Sequence, residues 1–495
     1  VGAGSALRDA IGRLAAAVEQ LRLVVEQLVR GGGAVSQAGA ATSRIATNPV
    51  QQSAPAASLA AYGGGPATAS TRTSVVPELA PGESERLTLA RNQVTYRRIT
   101  VNGGATGTTI EPPRASTGVT AEAYVLRDHM RGAHQTQVLE AVNGSITVAP
   151  GESVTFMVRV RGDQPGAGTV DFAGSRIGLS VASTPIDALP MMAWVNESNA
   201  TARGASGADA ASVLAHFGVA ATGNSGAAVV SDSNRSPVQY FSAAYEAATR
   251  ANPAETARRI VDAERRASSS NPGAAFWVQV SDEQDKNASQ VTGTVAWIAE
   301  LRRHLQAHGS NAKLFVAAQA RDFNLSYASV IDGWATTQSA VSHVRDNAIA
   351  DIRAAATSYG RRIELMEYPG NAFFDGGTPG GAAISTASAA LDGASSWFIY
   401  SANNLDVLER GGGDEGRGDI GGLVAIDGGR VLPTIALIEA ELGANLGAAA
   451  RVFGASATSG ASQVASIADS LDAYRHVGTT PDLRLWEQQI GALLR

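Results

Sequence analysis

Cysteine is absent from the 495 residues, so neither a disulfide framework nor thiolate chemistry is available, and the fold must stand on packing. Lysine occurs only at 286 and 313, and positive charge rests on dispersed arginines without a basic run. With a formal net charge of −6, this argues against a nucleic-acid partner or an anionic membrane surface. No stretch approaches the roughly 18 consecutive apolar residues of a membrane span. No basic segment followed by an apolar core opens the numbering. Of the seven histidines only His304 and His308 stand four apart, and no acid completes an HExxH motif there, so no metal is expected. The glycine clusters at 376–377 and 411–413 lack the spacing of a phosphate loop, which leaves no expected cofactor. Aromatic residues make up 5% of the chain, so each one near a candidate site counts.

What is present is length and 44% hydrophobic residues, enough for two or three domains with substantial cores. Residues 1–30 carry a heptad: Leu7, Ile11, Leu14, Val18, Leu21, Val25 and Leu28 place β-branched residues at a and leucine at d. This predicts a coiled-coil helix that makes a homo-oligomer, a dimer or a trimer, through residues 7–28. Residues 31–74 are rich in Gly, Ala, Ser, Thr, Gln and Pro, a composition that cannot bury a core and reads as a linker. Stalk, linker and large head together are the layout of a displayed fibre or spike. That layout points to a larger particle or appendage, and to a virion or an extracellular surface.

Residues 75–183 alternate with period two, as in Thr95 to Val101 and Val154 to Val160, and predict an antiparallel β-sandwich. The pentapeptide Ala-Pro-Gly-Glu-Ser stands at 80–84 and again at 149–153, each time ahead of a strand, which implies two equivalent turns. Residues 184–455 are the span expected to form a (β/α)8 TIM-like barrel, on a family resemblance carried by the segments between 276 and 400. Residues 456–495 read as amphipathic C-terminal helices covering the barrel wall.

Asp282 and Glu283 end the apolar run that begins at Ala274. Acids at a strand end before a helix suit the mouth of a (β/α)8 barrel, and equally suit a helix N-cap. Adjacent carboxylates cannot flank a glycosidic bond from opposite faces. They suit a reaction in which one acid protonates the leaving oxygen and the other holds a nucleophile supplied by the substrate.

In order and spacing the segments around the pair resemble glycoside hydrolase family 123 and its relatives. Phe276 to Glu283 matches the acid-bearing fourth strand, Leu314 to Ala318 the fifth, Ile331 to Ala335 the sixth, Ile363 to Pro369 the seventh and Gly393 to Tyr400 the eighth. The resemblance covers about residues 75–453 and implies an N-terminal β-sandwich, a (β/α)8 barrel and a glycan or polysaccharide partner. It also implies a retaining β-N-acetylhexosaminidase chemistry in which the substrate's acetamido oxygen attacks the anomeric carbon. Glu283 would be the general acid/base and Asp282 would stabilise the acetamido group. Trp277 and Trp334 would supply apolar surroundings that raise the Glu283 pKa. Trp277, Trp334, Tyr368, Trp397 and Tyr400 are the expected substrate-binding residues. Gln284 stands where the family has proline, and Ser401 where its tyrosine-tryptophan platform has the tryptophan. These two positions favour glycan recognition without turnover over active hydrolysis.

Overall fold

The computed structural model describes residues 75–131, 134–195, 200–201, 203–223, 238–241, 252–270, 275–282, 288–319, 324–337, 343–368, 380–391, 393–400, 402, 422–454 and 482–494. The heptad at 7–28, the linker and Glu283 lie outside them. Residues 71–495 form one compact unit, which takes in the segments read from sequence as sandwich, barrel and C-terminal helices.

The N-terminal part holds β1 (Ser84–Arg91), β2 (Val94–Asn102), β3 (Thr108–Ile110), β4 (Arg114–Ala115), β5 (Val119–Arg131), β6 (His134–Ala141), β7 (Ile146–Val148), β8 (Ser153–Gly162), β9 (Gly166–Phe172) and β10 (Ser175–Pro185). They make two four-stranded sheets, ordered β1-β10-β9-β4 and β2-β8-β5-β6. Leu89, Ile99, Val125, Phe156, Phe172 and Leu179 alternate inward from both sheets into one core. Phe156 and Phe172 meet edge to face at 5.3 Å across it. The expected antiparallel pattern is corrected at one pair, for β1 runs parallel to β10. The intervening strands give the chain ample length for a parallel return, which no short hairpin could make. Both Ala-Pro-Gly-Glu-Ser segments form the same turn. The Glu83 and Glu152 amides donate to the Ala80 and Ala149 carbonyls, each at 3.0 Å. Gly82 and Gly151 take φ of 84° and 77°, the left-handed region that a type II turn needs at its third residue.

The second part is an eight-stranded parallel sheet of β11 (Met191–Val195), β12 (Val219–Gly223), β13 (Val238–Phe241), β14 (Ala275–Asp282), β15 (Lys313–Gln319), β16 (Gly333–Thr337), β17 (Glu364–Tyr368) and β18 (Ser396–Tyr400). Its order, β12-β11-β18-β17-β16-β15-β14-β13, is the cyclic order of a barrel in which β12 and β13 are the two ends. Around it lie α1 (Gly207–His216), α2 (Pro253–Ser270), α3 (Ala288–Ala307), α4 (His343–Ser358), α5 (Gly381–Leu391) and α6 (Ile435–Gly454), which follows a hairpin of β19 (Val424–Asp427) and β20 (Arg430–Pro433). Met192, Ala220, Trp277, Phe315, Ala335, Met366 and Phe398 come from seven of the eight strands and form one cluster on the inner face. The sheet is therefore curled about its own side chains in the TIM/half-barrel manner.

Helix α6 joins the two parts. Nearly every residue of it is buried, including Glu439, Glu441 and Asn445. One side meets α5, where a Cβ at Gly443 would stand 2.0 Å from the Ala383 carbonyl oxygen, so only glycine permits the crossing. The other side meets the outer face of the β2-β8-β5-β6 sheet. There Arg159 donates to Glu441 from Nε at 2.9 Å and from Nη2 at 2.5 Å, and the Tyr96 hydroxyl donates to the same carboxylate. Burial works against the Arg159 charge, but Glu441 outweighs it and holds the guanidinium pKa well above its ordinary value.

The C-terminal helix α7 (Leu483–Leu493) packs against α6 and β1 rather than along the wall of the parallel sheet. The Thr95 hydroxyl donates to Glu487 of α7, and Arg97 pairs with the same carboxylate at 2.8 Å. These partners stand in the two-sheet part, which is why the helix is drawn there.

Candidate functional site

Strand β14 begins as a plain apolar strand and ends as a candidate site. Val278 and Val280 lie in the layer between sheet and helices, while Trp277 belongs to the inner cluster. Simple alternation would keep Asp282 in the outer set with Val278 and Val280. The pairing with β15 shifts between Gln279 and Ser281, however, so that Gln279 sits opposite Phe315 and Asp282 opposite Ala317. Phe315 and Ala317 are both inner-cluster residues. An irregularity of this kind re-aims the end of a strand, and such features concentrate beside active sites. Asp282 is thus the last residue of β14, at an inner register position.

Two more expected residues share that end of the sheet. Tyr368 closes β17 opposite Thr337, and Tyr400 closes β18 opposite Trp194 of β11. All the described pairings in this sheet are parallel, so the carboxyl ends of β14, β17 and β18 face the same way.

The three expected tryptophans are buried, each near the start of its strand. Trp277 is 1% exposed and sits near the amino end of β14. It meets Phe315 edge to face at 6.1 Å, and the Lys313 ammonium lies 5.0 Å from its ring centroid. Lys313 is also paired with Glu364, and a Cβ at Gly333 would stand 2.6 Å from the indole. Lys313, Gly333 and Glu364 each begin a strand, so Trp277 plugs the floor of the curled sheet, at the end away from Asp282. Trp334 turns outward from β16 and donates its indole N–H to the Ala318 carbonyl at 3.2 Å. Trp397 turns outward from β18 and donates to Ser385 Oγ of α5 at 2.8 Å. Trp334 and Trp397 are packing residues in the layer between sheet and helices.

Two positions at this site were not foreseen. Gln279 is a buried amide within the apolar run from Phe276 to Val280, and its Nε2 lies 3.5 Å from the Ser281 carbonyl. A polar residue inside such a run was the available signal. Trp194 is the register partner of Tyr400, which puts an aromatic residue on the neighbouring strand at the same level.

Among the described residues no group of three His, Asp or Glu side chains is placed to hold a metal ion, and no helix is long and apolar enough to cross a membrane. The Arg-Gly-Asp at 161–163 is closed on itself, since Arg161 pairs with Asp163 at 2.5 Å.

No family model matches the chain, and no curated protein matches it. Solved structures do. A family 123 glycoside hydrolase from Clostridium perfringens aligns over 83% of this chain and 93% of its own, with a TM-score of 0.50 and 8% sequence identity. A xylanase from Cellvibrio japonicus aligns over 71% of this chain and 90% of its own, with a TM-score of 0.29 and 9% identity. A β-galacturonidase from Eisenbergiella tayi aligns over 72% of each, with a TM-score of 0.33 and 9% identity. With the two-sheet part, the curled parallel sheet and the family 123 match taken together, the chain resembles the fold of a family 123 glycoside hydrolase.

Proposed function

We propose that this is a glycosidase-like protein that recognises a glycan at the carboxyl end of its parallel sheet. The observation that carries this reading is the shift in β14, which sets Asp282 opposite the inner residue Ala317 at the end of the sheet shared with Tyr368 and Tyr400. Sites in parallel barrels are built at that end, from residues on several strands. The ligand class follows from the fold likeness to a family 123 glycoside hydrolase, and the resemblance in sequence makes an N-acetylhexosaminide the expected sugar. In this reading the barrel closes between β12 and β13, and Tyr368 and Tyr400 line the sugar site.

Hydrolysis is the second reading, favoured by the same shift, because a strand re-aimed at its acid end is what a reacting carboxylate needs. Glu283 would then protonate the leaving oxygen and Asp282 would stabilise the acetamido group as positive charge develops on it. The test is release of a reporter from β-linked N-acetylgalactosaminide and N-acetylglucosaminide, with binding of the same sugars measured alongside. We expect binding with background hydrolysis, motivated by Gln284 and Ser401. Turnover that falls by about 10² to 10⁴ in Glu283→Gln would make the protein a hydrolase. Absence of both binding and turnover would sink the glycan reading.

The finer proposal, an oligomeric displayed fibre or spike on a virion or other appendage, is supported by the heptad at 7–28 and the linker at 31–74.

A further inference from the structure

A cavity of about 690 Å³ opens at the other end of the parallel sheet from Asp282. Part of its wall is Pro190 and Met191 where β11 begins, Gly218 just before β12, and Ser395 just before β18. It therefore lies beneath the amino ends of these strands. The opposite wall comes from Asn92 and Val94, where the chain passes from β1 of one sheet to β2 of the other, and from Glu441, Asn445 and Arg451 of α6. Its volume falls within the roughly 300–1,000 Å³ of small-molecule sites.

The chemistry of the wall narrows the ligand. Glu441 and Asn445 are each 3% exposed. Glu441 is held by Arg159 and Tyr96. Asn445 accepts from the Val94 amide at 2.9 Å and donates to the Glu441 carbonyl at 2.8 Å. Both are thus fixed in orientation before any ligand arrives. At the mouth Asp187 is exposed, and Arg451 donates to the Ala390 carbonyl at 3.4 Å. Neither has an ion-pair partner among the described residues. Arg161 is neutralised by Asp163. The lining thus offers carboxylates and guanidinia in equal number, beside the apolar side chains of Leu189 and Phe217. A balanced wall of this kind disfavours a strongly charged ligand. It suits a neutral one that donates and accepts many hydrogen bonds and also presents an apolar face, which is the character of a sugar ring.

We propose that this cavity is a second carbohydrate-binding site, which takes a neutral mono- or disaccharide and is separate from the carboxyl-end site. A sugar seated there touches the two-sheet part, α6 and the base of the parallel sheet together, so its binding stabilises their junction.

The test uses the full chain with N-acetylglucosamine, N-acetylgalactosamine and their β-linked disaccharides as probes, read by calorimetry and by the unfolding midpoint. At least one probe should bind and raise the midpoint. Its affinity should fall about tenfold in Arg451→Gln and in Asp187→Asn, the loss of one hydrogen bond to a charged group. Ala188→Trp, which fills the mouth from a loop, should abolish this binding, while Glu283→Gln should leave it intact. Should Ala188→Trp fail to fold, the two mouth variants carry the decision. The proposal is overturned if none of these sugars binds, or if binding is lost in Glu283→Gln and unchanged in the mouth variants, which would assign it to the carboxyl end.

Discussion

Trp277 and Tyr400 sit on the same curled sheet, yet they are expected to respond oppositely to truncation. Trp277→Ala removes a floor residue packed against Phe315 and Lys313, and should cost about 3–5 kcal/mol in chemical denaturation. Tyr400→Ala, at the end of β18, should weaken glycan binding with a much smaller effect on the unfolding midpoint. Equal destabilisation by the two would contradict their separate placement. The sequence marked both as aromatic and could not separate them, because a strand covered on both faces is apolar in both directions. Charge at the junction makes a prediction in pH. Burial disfavours the ionised Glu122, but its bond with His216 at 2.9 Å and the nearby Arg159 outweigh this and hold its pKa at about 2, below the ordinary 4.5. A carboxyl lowered in the folded state stabilises above its unfolded value and loses that contribution as pH falls through the folded one. The wild-type advantage over Glu122→Gln in urea midpoint should therefore be full above pH 4.5 and shrink toward about pH 2. An advantage that is flat across this window would show that Glu122 acts through packing alone.

At the scale of elements, what was legible depended on how many faces a segment buries. The twin turns at 80–84 and 149–153 were legible because proline then glycine sets a type II turn locally, whatever surrounds it. The acid-bearing strand was legible as a strand, but the pairing shift that brings Asp282 to an inner position depends on β15 and has no local signature. Helix α5 escaped the sequence reading altogether. Its ten residues from Gly381 to Ala390 are all buried, so no polar face marks a helical period. Its contact with α6 is the element most sensitive to a single atom. Gly443→Ala should destabilise by about 1–3 kcal/mol or more, because the added methyl meets backbone that cannot rotate away. Gly144→Ala, where a Cβ meets nothing within 4 Å, is the control and should be close to neutral in the same melt.

For the whole molecule, residues 71–495 make a compact unit of their own, distinct from residues 1–70. Deleting residues 1–30 should therefore leave a folded head and convert an oligomer to a monomer in light scattering. An unchanged mass would move the association elsewhere. Sequence determined the parts of this head whose cause is local or periodic: alternation gave the strands of the two-sheet part, proline and glycine gave the turns, and the order of segments gave the likeness to a family 123 glycoside hydrolase and, through it, the strands of the parallel sheet. Tertiary structure decided what depends on partners distant in the chain. The buried Arg159–Glu441 pair joins residues 282 positions apart, and its charges are tolerable only because α6 lies across the sheet. The inward or outward sense of Trp277, Trp334 and Trp397 was decided by the curl of the sheet and by α5, which no stretch of neighbouring residues encodes.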